Sequence, residues 1–179
     1  MKRYLWLYWI AIALTACNGS QAPSQAPQAS QAPVPQLKTV TIDNTKIVAG
    51  QTVYVPIYSH IYMVEPGRKM NLTATMSVRN TDLSQPIIVT SANYYDTNGE
   101  IVRKYLDKPI ELRALAATDF VVAQEDVSGG AGASFIVEWV AQQNVSTPAI
   151  EAVMINTGGN QGISFVSPGR VIKNRANRK

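Results

Sequence analysis

From about Leu37 onward, apolar and polar side chains alternate in short runs, the period of two that a half-buried β-strand requires. Val53, Val55 and Ile57 alternate with Tyr54, Pro56 and Tyr58, and Leu72, Ala74, Met76 and Val78 alternate with Thr73, Thr75 and Ser77. Residues 87–95 form a third run, rich in β-branched and aromatic side chains, and Asn98-Gly99 separates it from Ile101 to Leu106. That dipeptide predicts a hairpin, because both residues tolerate a positive φ. Residues 120–123, 134–141, 150–155 and 162–166 read as further strands, and nothing beyond residue 36 has helical periodicity. Short strands with regular turn signals predict an all-β fold: a single antiparallel β-sandwich, immunoglobulin- or fibronectin-like in its layering, with a small barrel as the competing closure. Pro56 cannot donate to a ladder, which predicts an edge position for its strand. Trp139, flanked by Phe135, Val137 and Val140, is expected to anchor the core.

The first 36 residues follow a different pattern. Met1-Lys2-Arg3 precede an apolar run from Tyr4 to Ala13, well short of the roughly twenty residues of a spanning helix. This is the layout of a signal peptide over residues 1–16. Leu14-Thr15-Ala16-Cys17 resembles the bacterial lipobox, where a signal peptidase cuts before a diacylglyceryl-modified cysteine. The resemblance makes Cys17 the lipidated first residue of a mature chain, moored to a membrane. Each buried methylene contributes about 0.8 kcal/mol, so two or three acyl chains hold where one would not. Residues 18–36 repeat Gln-Ala-Pro without charge or apolar bulk, which predicts a disordered linker. At about 3.1 Å per residue such a spacer reaches on the order of 60 Å. Four segments are therefore expected: a leader (1–16), a lipidated Cys and linker (17–36), a sandwich domain (37–172) and a basic disordered tail (173–179). The expected place is the bacterial cell envelope. Asn18, rather than an aspartate, follows the cysteine, which favours the periplasmic side of the outer membrane in a diderm cell.

Charge and composition then narrow the chemistry. Hydrophobic residues make up 46% and charged residues 16%, enough apolar material for a core and too little charge for a disordered chain. The net charge of +4 sits at the ends. Residues 37–169 hold nine Lys and Arg against twelve Asp and Glu, a net of −3, whereas Arg170, Lys173, Arg175, Arg178 and Lys179 crowd the last ten positions. A folded body of that charge is no nucleic-acid surface. Cys17 is the sole cysteine and His60 the sole histidine, so no internal disulfide can form and metal or general-base chemistry has few ligands to work with.

The runs VYVPIYSHIY (53–62), RNTDLSQPIIVTSANYYDTNG (79–99), LDKPIEL (106–112), FIVEWVA (135–141) and ISFVSPGRVI (163–172) resemble a bacterial family catalogued as domain of unknown function 3124. The resemblance covers most of residues 50–172 and implies a small extracytoplasmic protein, often with a lipoprotein leader. It implies no activity and no catalytic residue.

A hydrolase would use His60 as its base, but no Gly-x-Ser-x-Gly elbow accompanies it, and a structural role is expected. Asp96-Thr97-Asn98-Gly99-Glu100 offers oxygen ligands, yet lacks a calcium-loop frame and reads as a hairpin turn. Asn80-Thr81-Asp82 reads as a strand-ending turn. Ser128-Gly129-Gly130-Ala131-Gly132 lacks the helix and lysine of a phosphate loop and is expected to be a mobile connection. Tyr54, Tyr58 and Tyr62 form the candidate binding face, able to stack on sugar rings or grip a protein. No catalytic residue, metal or cofactor is expected. The expected function is a non-enzymatic, lipid-anchored domain that binds an envelope protein or assists assembly, with a carbohydrate- or peptidoglycan-binding module as the alternative.

Overall fold

The computed structural model describes residues 38–158 and 162–175; the leader, Cys17, the linker and the last four residues lie outside them. The strands run in chain order as β1 (Lys38–Thr39), β2 (Ala49–Pro56), β3 (His60–Tyr62), β4 (Lys69–Asn71), β5 (Thr73–Arg79), β6 (Ile87–Tyr95), β7 (Ile101–Lys104), β8 (Ile110–Leu112), β9 (Ala117–Val122), β10 (Ser134–Ala141), β11 (Ala149–Asn156), β12 (Ile163–Pro168) and β13 (Arg170–Asn174). One short 3-10 turn, Asn44–Lys46, interrupts the first connection, with Asp43 capping it through the Thr45 N–H.

Every strand pairing is antiparallel. The larger sheet has the order β1-β8-β6-β10-β2-β13, with β7 alongside β6, and the smaller has β12-β11-β5-β9. β3 and β4 form a separate hairpin. The alternation read from sequence is the alternation of burial: Val53, Val55 and Ile57 point inward from the larger sheet, and Leu72, Ala74, Met76 and Val78 from the smaller. Phe135, Val137, Trp139, Phe120, Ala152 and Met154 complete one core shared by the two inner faces. The fold is thus a β-sandwich of two packed antiparallel sheets.

Residues 87–95 do not alternate strictly, and pairing explains why. The register of β6 against β10 shifts between Glu138 and Trp139, leaving Thr90 as the extra residue. This bulge resets the parity, so Ile87 and Val89 before it and Ala92 and Tyr94 after it are all buried. In the following hairpin only Gly99 takes a positive φ, at 85°. Its N–H donates to the Asp96 carbonyl, and Asp96 N–H donates to the Glu100 carbonyl, closing a four-residue turn.

Three expectations change. β2 is an interior strand between β10 and β13, yet Pro56 still sits at a local edge: it pairs with Ser134 of β10, while the β13 ladder begins at Tyr54. The tail boundary moves outward, because Lys173 and Asn174 belong to β13 and the Arg175 N–H donates to the Gly50 carbonyl at 2.7 Å. Only residues 176–179 of the expected tail lie outside the described residues. The glycine-rich connection is tied down: Gly129 and Gly130 carbonyls accept from Thr97 and Ser59, and Gly132 N–H donates to the Thr97 hydroxyl. A Cβ on Gly129 would collide with the Tyr94 hydroxyl, so glycine there serves close packing.

β12 and β13 are one run bent at Gly169, where the chain leaves the smaller sheet for the larger. Gly169 N–H donates to the Ile150 carbonyl at 2.8 Å, and a Cβ would stand 2.6 Å from that oxygen and 2.7 Å from Val53 Cγ1. Only glycine fits this corner without displacement.

Candidate functional site

The sandwich has two unlike ends. One carries the β3–β4 and β6–β7 hairpins and the glycine-rich connection; the other gathers the connections 40–48, 80–86, 113–116 and 142–148, together with Lys38 and Arg175.

The three candidate tyrosines occupy three settings along the hairpin end. Tyr54 lies inside the larger sheet, half-buried, facing Ile136 and Arg170 across the ladders. Tyr58 lies two residues beyond β2, 39% exposed, and its ring meets Phe165 of the smaller sheet edge-on at 5.9 Å. Four extended residues put the Cα atoms of Tyr54 and Tyr58 about 13 Å apart, so their rings have different neighbours. Tyr62, on β3, is 67% exposed, with the Lys69 ammonium 5.5 Å from its ring centre and the His60 ring edge-on at 5.5 Å. Tyr58 and Tyr62 are the accessible aromatic groups; Tyr54 is part of the sheet surface.

His60 is 6% exposed and both its ring nitrogens lack a hydrogen-bond partner. Burial pushes the imidazole pKa below its ordinary value, and the Lys69 cation lowers it further. A neutral ring in that position packs a hairpin. A hydrolase base would need a hydroxyl or carboxylate at hydrogen-bond distance, and His60 has neither. Asp96 spends its carboxylate on the turn, accepting from Asn98 N–H at 2.8 Å and Glu100 N–H at 2.9 Å. Those bonds hold its pKa below the usual carboxylate range. Among the described residues no group of three or more His, Cys, Asp or Glu is placed to hold a metal ion.

At the other end the turn 80–82 is far more than a strand terminus. The buried Asn80 amide donates to the carbonyls of Gln85, Arg113 and Leu112 at 2.8, 3.0 and 3.2 Å, and its oxygen accepts from Asp82 N–H at 3.0 Å. Asp82 accepts from the N–H groups of Ser84, Gln85 and Ser146, which lower its pKa to about 2. Three connections are thereby tied at one point.

A family model built for proteins of unknown function matches residues 50–172. The chain belongs to the DUF3124 family. The match runs from Gly50 in β2 to Ile172 in β13, so it covers the sandwich apart from the short β1 and the outermost residues of β2 and β13. No curated protein and no solved structure matches the chain. Cys17 falls outside the described residues, and neither its lipidation nor the tyrosine face is touched by the family match.

Sequence reading missed two polar features of this DUF3124 domain. Asn80 and Asp82 were legible only as turn formers, since their partners lie up to 64 residues away. Glu138, on the outer face of the larger sheet, accepts from the Thr52 and Ser91 hydroxyls and pairs with Arg175 at 3.5 Å. The only signal for it was a lone acid inside an apolar strand.

Proposed function

We propose that this protein is a lipid-anchored component of the bacterial envelope, moored through Cys17, whose sandwich binds a partner and performs no catalysis. The observation that carries the binding role is the exposed pair Tyr58 and Tyr62, each ring pre-set by a neighbour, Phe165 and Lys69 respectively. Rigid aromatic groups with a polar tip are effective contact residues because little side-chain entropy is lost when they are covered. The buried, unpartnered His60 supports the non-catalytic half of the reading. The leader and the residues around Cys17 support the anchor, and Asn18 supports the periplasmic face of the outer membrane in a diderm cell. A glycan remains the alternative partner, since exposed tyrosines stack on sugar rings as well as on protein.

Two measurements test this. Palmitate labelling in cells should mark the wild type and fail for Cys17→Ser; equal labelling would remove the anchor. Cross-linking in intact envelopes, compared with Tyr58→Ala/Tyr62→Ala, should yield one partner that the double variant loses. Peptidoglycan or glycan retained by the wild type alone would select the carbohydrate reading. Equal yields from both forms would sink the role of the aromatic pair.

A further inference from the structure

We infer that the end of the sandwich carrying Leu83 and Leu115 is a membrane-docking surface for anionic lipid; the inference rests on the anchored reading above. Leu83 is 81% exposed and Leu115 66% exposed. They are neighbours, because the Leu115 N–H donates to the carbonyl of Asp82, the residue before Leu83. Leu115 is the one described non-glycine residue with positive φ, at 59°. A bulky side chain is a costly choice there, where glycine or asparagine fits freely. The turn 113–116 therefore holds an apolar side chain outward at a position where stability alone would select another residue.

The rest of this end suits a lipid headgroup layer. Arg79 and Arg113 are exposed and, among the described residues, have no ion-pair partner. Lys38 and Lys46 are exposed too, but each is paired with an acid, Glu111 at 2.9 Å and Asp43 at 3.4 Å, so the two arginines carry the free charge. The Asp82 carboxylate, beside the leucines, is occupied by three backbone N–H groups. The basic residues Arg178 and Lys179 follow Arg175 in sequence. Exposed leucines on the same end as unpaired arginines are a composition that partitions into an anionic interface.

Chain direction selects a bilayer as the occupant. β1 is antiparallel to β8, whose Leu112 end faces this side, so the chain enters the sandwich here at Lys38. It also leaves here, at Arg175 beside Gly50. A chain moored at Cys17 thus presents this end at the root of its tether. The linker raises the local concentration of the surface, so weak contacts suffice.

The test uses the chain from Cys17 onward, which contains the compact unit Pro35–Lys179 and all of its core. Its single thiol is coupled to a maleimide lipid in vesicles of phosphatidylcholine with about a third phosphatidylglycerol, and quenching by brominated acyl chains is read. Leu83→Trp should be quenched at least twofold, and less when Leu115→Asn is added. Val64→Trp, fully exposed at the hairpin end, should keep its emission. Trp139 is buried and gives a constant background. Equal quenching at positions 83 and 64, or none at 83, would overturn the surface. Equal quenching at 83 on pure phosphatidylcholine would overturn its anionic preference. Chemical coupling replaces the natural anchor, so a failure here stays separate from the palmitate result.

Discussion

Asn80 is the side chain on which the connections 80–86 and 113–116 depend, and replacing it separates two kinds of loss. Asn80→Ala removes a donor shared by three carbonyls and the acceptor of the Asp82 N–H. Each net hydrogen bond contributes about 1 kcal/mol, and a buried group left unpaired costs about 1–3 kcal/mol, so the expected loss is ~3 kcal/mol. For a domain of this size that corresponds to a fall in Tm of roughly 10 °C. Asn80→Asp is nearly isosteric, yet it turns the donor into an oxygen aimed at three carbonyl oxygens. At pH 7 it should cost at least as much as alanine. Its carboxyl pKa should rise in the fold above the unfolded value. The folded state then binds the extra proton, so stability relative to wild type should recover as pH falls through that raised pKa. Urea unfolding of the chain from Cys17 onward, followed by emission of Trp139, its sole tryptophan, measures both. An Asn80→Asp protein as stable as wild type at pH 7, or one whose deficit ignores pH, would refute the assignment of Asn80 as a buried donor.

Further outcomes follow from other residues. Gly169→Ala sets a Cβ against the Ile150 carbonyl, which cannot retreat without losing the Gly169 N–H; ~2–3 kcal/mol should be lost, with hydrogen exchange in β13 rising first. Leu115→Asn should raise stability by about 1 kcal/mol in urea, since asparagine tolerates the positive φ; a loss would mean that Leu115 packs into the fold. His60 has a lowered folded pKa, so its contribution is complete above about pH 6.5 and is lost as pH falls through the folded value. That step should vanish from the urea midpoint against pH in His60→Leu. Asp82 adds a second acid-side loss, from the ordinary carboxyl value of 3.8 down to about 2, which Asp82→Ala should abolish while lowering stability at neutral pH.

The sandwich was legible because burial of alternate side chains is a local property of a strand. Val53 to Ile57 and Leu72 to Val78 showed it without knowledge of their neighbours, and so did the apolar set around Trp139. The leader pattern and the Gln-Ala-Pro stretch are likewise one-dimensional facts. Pro56 shows the boundary of such reasoning: the missing N–H correctly marked a position without a ladder partner on one side, but the rank of its strand depended on β13, more than a hundred residues later. The bulge at Thr90 was present only as an imperfect alternation until β10 supplied the register.

Composition and periodicity determined that this chain has an antiparallel β fold and which runs supply its core. Tertiary structure alone decided which tyrosines reach solvent, that His60 is sealed without a partner, that Asn80 and Asp82 knot distant connections, and that the turns bearing Leu83 and Leu115 are bonded at the end that holds Lys38 and Arg175. The physical reason is range. Side-chain alternation and turn chemistry act over a few residues, whereas burial, hydrogen-bond partnership and surface adjacency arise only when strands far apart in sequence are brought side by side.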